Sequence, residues 1–410
     1  MSSLFVIPSV AKRSRGILTR SILLKNTYEL TAPCHFGLEA VLKKEITELG
    51  YEVTETEDGR VSFMGDDEAV CLANIFLRSA ERILIKLGSF EARSFEELYQ
   101  GTKALPIEEW IPKDGHFWVA KAGSVNSALF SASDIQSVMK KAMVDRLSGK
   151  YGVTYFKENG NDYPIRVFIK KDRVSVGLDS TGASLHKRGY RLAQSKAPIA
   201  ENLAAALIML TPWHGDRILV DPFCGSGTIP IEAAMMAAGM APGLNRSFTA
   251  DNWERISAKL WADCREEARS RIRIPEHTDI QGYDLDPHML TIARENAKRA
   301  GVEKLIHFQQ RDVAELSHPK RYGFIITNPP YGERLNDEES LKELYTVIGE
   351  RYGRLQDWSM FLITSYKDAQ KYIGRKADKT RKLYNGMIKT EYLQYMGARP
   401  PKRKEDRSNG

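Results

Sequence analysis

Cysteine is scarce in this chain. The four that occur, Cys34, Cys71, Cys224 and Cys264, include no Cys-x-x-Cys pair, so neither a zinc site nor a disulfide framework is indicated, and no metal is expected. A run of about 18 apolar residues is missing too, so no membrane span is expected. No Gly-Lys-Ser or Gly-Lys-Thr completes a phosphate-binding loop. The turn Gly225-Ser226-Gly227 carries Pro230 where a nicotinamide fingerprint wants a third glycine. The next strand-end acid, Asp284, lies well beyond the roughly 20-residue spacing of that fingerprint. Dinucleotide binding is therefore a poor reading of this turn.

What is present favours a polyanionic partner. Lys and Arg number 60 against 53 Asp and Glu, a net charge of +7 over 410 residues, with an isoelectric point near 9.0. This length suggests two or three domains. Residues 1–26 hold five basic residues and no acid, without a continuous apolar stretch, and are expected to be a disordered basic arm outside the fold. From Thr27 the pattern is strand (Tyr28 to Thr31), helix (Leu38 to Leu49), two strands across Glu57-Asp58-Gly59, helix (Asp67 to Leu77) and strand (Ala80 to Phe90). That β-α-β-β-α-β order predicts a ferredoxin-like module over 27–70, its last strand running to about 90. A second α/β module follows, with a helix over Ser133 to Gly149 and strands over Ile165 to Lys170 and Arg173 to Asp179. Basic and aromatic residues interleave in Leu185-His186-Lys187-Arg188-Gly189-Tyr190-Arg191, which suits phosphate contacts and stacking, with Lys187, Arg188 and Arg191 as RNA contacts. Ser365 to Lys404 carries twelve Lys or Arg against three acids, and part of it is expected to line an RNA path. Within it, Tyr384-Asn385-Gly386 reads as a hairpin turn.

Two motifs carry the chemistry. The first is Asp221-Pro222-Phe223-Cys224-Gly225-Ser226-Gly227-Thr228, placed between a short apolar strand and a helix over Ile229 to Ala238. Strand, glycine turn and helix together aim backbone N–H groups at a polar ligand, and the glycines allow close approach. Asp221 suits an ammonium such as that of S-adenosylmethionine. Asp284, ending a second strand before a helix over His288 to Ala300, suits a ribose diol. Asp312, after a third strand, suits an adenine amine. Asp286 is read as a helix cap, and Cys224 as a small buried thiol.

The second motif is Asn328-Pro329-Pro330-Tyr331, delivered by the strand Tyr322 to Thr327. An exocyclic amine on an aromatic ring shares its lone pair with the ring and is a weak nucleophile. If the Asn328 side-chain oxygen and the Pro329 carbonyl accept its two hydrogens, the lone pair is held toward an incoming methyl group. The prolines fix that carbonyl, and Tyr331 offers a ring on which an extruded base stacks. Both motifs, in this order on alternating strands and helices, predict an amino-group methyltransferase.

The chain resembles the bacterial THUMP-domain rRNA guanine-N2 methyltransferases, specifically the stand-alone relatives of the N-terminal half of the bifunctional large-subunit enzyme. The matching residues are Thr31-Ala32-Pro33, Gly37-Leu38-Glu39, Leu178-Asp179-Ser180-Thr181-Gly182, His186 with Arg188-Gly189-Tyr190-Arg191, Ala197-Pro198-Ile199-Ala200-Glu201, the cofactor turn, and Asn328 through Leu335. The resemblance implies an α/β fold: a ferredoxin-like module, a THUMP RNA-binding module over 71–182, a Rossmann-like class I methyltransferase domain over 183–396 with a helical insertion at 241–273, and a basic tail over 397–410. It also implies transfer of a methyl group from S-adenosylmethionine to the N2 amine of a guanine in 23S rRNA, naked or within a precursor particle, in the cytoplasm. The alternatives are a tRNA guanine-N2 methyltransferase or, in a different class, a non-catalytic RNA-binding factor in ribosome assembly.

Overall fold

The computed structural model describes residues 27–191, 199–330 and 338–401. The basic arm at 1–26, Tyr331, and the tail from 402 lie outside them. The described residues form two compact units. The first takes 27–34, 42–185 and 246–268; the second takes 35–41, 186–245 and 269–401.

The first unit is built on one seven-stranded sheet. Strands β1 (Tyr28–Pro33), β2 (Val53–Glu57), β3 (Arg60–Gly65) and β4 (Leu84–Glu91) lie in the order β2-β3-β1-β4, the ferredoxin-like arrangement. β4 begins at Leu84, four residues after the expected Ala80, because Ala80 makes only an isolated bridge to Cys34. A ferredoxin sheet would leave β4 as an open edge of unpaired N–H and C=O groups. Here β4 also pairs with β7 (Arg173–Asp179), so the sheet continues through β6 (Asp162–Lys170) to β5 (His116–Val125). β5 and β6 run parallel, which requires a crossover; the helix Ala132–Tyr151 supplies it and stops at Gly152, in the left-handed conformation.

At the end of β7, Asp179 is a buried hub. Its carboxylate accepts from Arg82 at 2.8 Å, Arg166 at 2.7 Å and the Thr181 N–H at 3.0 Å. Asn74 donates to Ser180 Oγ at 2.9 Å and accepts from Thr181 Oγ1 at 2.6 Å. Each buried polar group thus finds a partner, which offsets its desolvation. Residues 246–268, expected within the methyltransferase domain, cluster instead with this first unit. The Ala250 N–H donates to Ser180 O at 3.0 Å. Trp253 stacks on Tyr163 with centroids 5.2 Å apart and donates from Nε1 to Asp162 O at 2.8 Å. Burial of Trp253 and Trp261 is a large apolar reward for that placement.

The second unit holds β8 (Leu219–Asp221), β9 (Ile280–Asp284), β10 (Ile306–Gln310), β11 (Phe324–Thr327), β12 (Ser359–Thr364), β13 (Lys379–Asn385) and β14 (Ile388–Tyr395). Their order is β10-β9-β8-β11-β12-β14-β13. The first five are parallel, and β14 runs antiparallel to both β12 and β13. β8 and β11 are all-buried strands, as parallel strands covered on both faces must be. The strand order reverses between β8 and β11, so their C-terminal ends flank a crevice of the kind in which open α/β sheets bind ligands. The turn expected at Tyr384-Asn385-Gly386 connects β13 to β14.

Candidate active site

β8 ends on Asp221, which is 1 % exposed. Its Oδ1 accepts from Thr327 Oγ1 at 2.6 Å and from the Phe223 N–H at 3.1 Å. Thr327 is the last residue of β11, so this bond ties the two strands that flank the switch point. Burial raises the Asp221 carboxyl from its ordinary 3.8 to about 7, with the Asp284 charge adding to it and the two hydrogen bonds opposing. Sequence reasoning missed Thr327. Its one signal is a hydroxyl at the end of the apolar run Phe324-Ile325-Ile326, where it must find a partner.

The turn after β8 lies along the end of β9. Cys224 N–H donates to Tyr283 O at 2.8 Å, and Gly227 N–H donates to Cys224 O at 2.8 Å. Cys224 is buried, as expected, and burial pushes its thiol up. Gly227 caps the helix Thr228–Ala237 at φ 83°, a left-handed conformation. A Cβ there would stand 3.0 Å from Ala293 Cβ and 3.1 Å from the Phe308 ring. Gly227→Ala should therefore cost about 1–2 kcal/mol of stability through strain and crowding, read as a lowered denaturation midpoint. Ser226 and Thr228 are buried; the Ser226 carbonyl accepts from Asn296 Nδ2 at 3.0 Å.

Asp284, ending β9, accepts from the Gly225 N–H on Oδ2 and the Asp286 N–H on Oδ1, each at 2.9 Å. It holds the glycine turn in place. Asp286 caps the helix Pro287–Ala300 by accepting from His288 N–H at 2.9 Å, as expected. Asp312, beyond β10, caps the short turn Val313–Glu315 by accepting from Ala314 N–H at 2.8 Å. β11 delivers Asn328, Pro329 and Pro330. The Asn328 Oδ1 is buried with no hydrogen-bond partner among the described residues. Tyr331 lies outside them. The structure thus gathers Asp221, Pro222, Gly225, Ser226, Gly227, Thr228, Asp284, Asp312, Asn328 and Pro329 at the C-terminal ends of β8 to β11.

The expected RNA contacts divide differently. Arg188, read as a phosphate contact, is buried, its side chain 2 % exposed and paired at 3.5 Å with Glu232, which is itself 0 % exposed. A guanidinium enclosed with a carboxylate is not available to RNA. Tyr190 donates to the same Glu232 at 3.1 Å. Arg191 pairs with Glu201 at 3.2 Å and donates at 3.0 Å to both Ile199 O and Thr228 Oγ1. Arg188-Gly189-Tyr190-Arg191 is thus a brace behind the cofactor-turn helix. Lys187 is exposed. Arg191→Ala should lower thermal stability by about 1–3 kcal/mol, the cost of leaving Glu201 buried and unpaired. The salt dependence of RNA affinity should stay unchanged, since no phosphate contact is lost.

A cavity of about 840 Å³, lined by Arg217, His277, Lys320 and Arg321 among others, lies at the opposite, N-terminal ends of β8, β9 and β11. None of the motif residues lines it, and ligands of open α/β sheets bind at the other end.

Five parallel strands with an antiparallel hairpin, and a glycine turn with acids ending successive strands, define a class I methyltransferase domain. Comparison with known proteins gives the family. The RMKL-like methyltransferase domain family matches residues 188–394, just over half of the chain. The RlmL ferredoxin-like domain matches 29–84, and the THUMP domain matches 92–179. The chain belongs to the RMKL-like methyltransferase family. It is 43 % identical over 380 residues to the putative RNA methyltransferase YpsC of Bacillus subtilis (strain 168), covering 92 % of this chain and 98 % of that protein. It is 35 % identical over 387 residues to the ribosomal RNA large subunit methyltransferase K/L of Cellvibrio japonicus (strain Ueda107); this covers 90 % of this chain but 51 % of that protein. Among solved structures, SMU.472, a putative methyltransferase complexed with SAH, is similar at a TM-score of 0.87 and 42 % identity, covering 92 % of this chain and all of that one. The cofactor of this chain is S-adenosylmethionine, and the donor set fits it, with carboxylates ending β8 and β9 and following β10. No helix among the described residues is long and apolar enough to cross a membrane.

Proposed function

We propose that this protein, working in the cytoplasm, methylates the exocyclic N2 amine of a guanine in 23S rRNA. The chain is an RNA methyltransferase by its family and its THUMP domain; the choice of guanine N2 and of 23S rRNA is the proposal. The observation that carries it is Asn328. Its buried Oδ1 has no partner among the described residues, a cost normally avoided in a folded interior. It stands one residue beyond Thr327, at the switch point where Asp221 is held.

When bound, the cofactor supplies an electrophilic methyl group on a sulfonium. The chain's own residues then have three tasks. Asp221 would hold the ammonium, Asp284 the ribose hydroxyls and Asp312 the adenine amine, while Gly225 and Gly227 would let the backbone come close. Asn328 Oδ1 and the Pro329 carbonyl accept the two amine hydrogens and turn the nitrogen lone pair toward the methyl group. Tyr331, which lies outside the described residues, would offer the ring on which the guanine stacks. No strong base is required, since the nitrogen proton becomes acidic once the new C–N bond forms and leaves to water. Positioning of this kind accounts for several kcal/mol of a barrier.

Nucleoside mass spectrometry on separated rRNA and tRNA, from cells with and without the gene, tests the reading. The expected result is loss of N2-methylguanosine from large-subunit rRNA. Loss from tRNA alone would move the substrate to tRNA. An unchanged nucleoside profile would leave the assembly-factor role.

A further inference from the structure

We infer that the tip of the β13–β14 hairpin is a wedge that enters the RNA beside the target guanine and keeps the flanking nucleotides apart. The inference rests on RNA being the substrate.

The register places the tip at the catalytic end. β14 is antiparallel to β12, with Thr364 opposite Glu391 and Met360 opposite Tyr395. β12 is parallel to β11, with Leu362 opposite Thr327. Asn328 is therefore level with Ile363, and the hairpin turns at the end where Asp221 and Asn328 stand. Ile388 is three residues beyond Glu391, so at about 3.3 Å per residue the tip projects roughly 10 Å past the end of β12.

The tip itself is apolar. Asn385 pairs with Ile388, leaving Gly386 and Met387 as a two-residue connection. Gly386 has φ 62°, as tight hairpin turns require. Met387 is 97 % exposed and Ile388 52 % exposed. A short, stiff turn that offers a thioether and a branched aliphatic chain to solvent is unused by the fold.

Its surroundings are cationic. The hairpin carries Lys379, Arg381, Lys382 and Lys389 against the single acid Glu391. Neither Lys382 nor Lys389 forms an ion pair among the described residues. Tyr384 meets Phe36 edge-on with ring centroids 5.9 Å apart, which steadies the strand below the tip. Apolar side chains framed by cations match a base step with its flanking phosphates, and favour RNA over a protein partner. The need is chemical as well. A guanine in folded RNA must leave its stack to reach Asn328, at a cost of a few kcal/mol, and a wedge in the gap offsets that cost.

The test compares the wild type with a Met387→Ser, Ile388→Ser double variant, the tip being too exposed to disturb folding. The substrates are a 23S rRNA transcript that the wild type methylates, and a short single-stranded oligonucleotide spanning the modified guanine. The double variant should lose about tenfold or more in kcat/KM on the transcript, and stay within about twofold on the oligonucleotide, which has no stack to open. Cofactor affinity should not change, and Met387→Leu should keep most of the activity. Equal rates on the transcript, or equal losses on both substrates, would overturn the wedge. So would an oligonucleotide that the wild type cannot methylate. If the double variant splits a wild-type dimer at unchanged rates, the tip belongs to a second copy of the chain. A wild type that methylates no RNA would overturn the function, and the wedge with it.

Discussion

Asn328→Ala should lower the methyl-transfer rate by about 10²- to 10³-fold, the usual cost of removing one positioned hydrogen-bonding group from a reaction centre. Cofactor affinity, measured by calorimetry, should stay within about twofold, since the acids at β8, β9 and β10 are untouched. The folded state should not be weakened. Oδ1 has no partner among the described residues, so removing it relieves a desolvation cost instead of breaking a bond. Asn328→Asp keeps an acceptor in place and should retain more activity than the alanine variant. Full turnover by Asn328→Ala would remove the amine-holding role. A large fall in cofactor affinity would instead move Asn328 to the cofactor.

Asp221→Asn should move stability and cofactor binding in opposite directions. Burial lifts this carboxyl from 3.8 to about 7. The folded chain therefore holds a proton that the unfolded chain has lost between those pH values. Stability falls as pH rises across that window, and the full cost stands above about 7. Asparagine carries no charge and its oxygen still accepts from Thr327 and Phe223. The variant should gain roughly 2 to 4 kcal/mol at pH 8 and nothing near pH 4, seen as a raised melting temperature at the higher pH. A cationic ammonium beside Asp221 favours the ionised form, so binding releases a proton below pH 7. Wild-type cofactor affinity should weaken by up to about tenfold for each pH unit below 7. The variant should bind about 10- to 100-fold more weakly at pH 8 and show no such slope. A wild-type affinity independent of pH from 5.5 to 8 would detach the ammonium from Asp221.

Much of the fold was legible because its signals are local. The helices after Asp66 and Asp286 begin where a capping carboxylate stands. The hairpin closes where Asn385-Gly386 permits it. The alternation of short apolar strands with helices gave the methyltransferase domain, and the glycine turn could be placed at the end of a strand. Arg188 and Arg191 were misread because interleaved basic and aromatic residues look alike whether they face RNA or a buried acid. Their partners, Glu232 and Glu201, stand on helices further along the chain, and no local pattern links them. The same blindness hid Thr327, whose partner Asp221 is on another strand.

Sequence alone determined the order of elements, the residue types at the strand ends and hence the chemistry of methyl transfer, because these depend on short-range propensity and on the valence of side chains. Tertiary structure alone decided that β4 joins two modules into one sheet, that 246–268 packs with the first unit, that Arg188 is buried, and that Met387 stands at the catalytic end. Each of those depends on pairing between residues distant in the chain, where competing burial, charge and edge satisfaction select one arrangement among many that the local pattern allows.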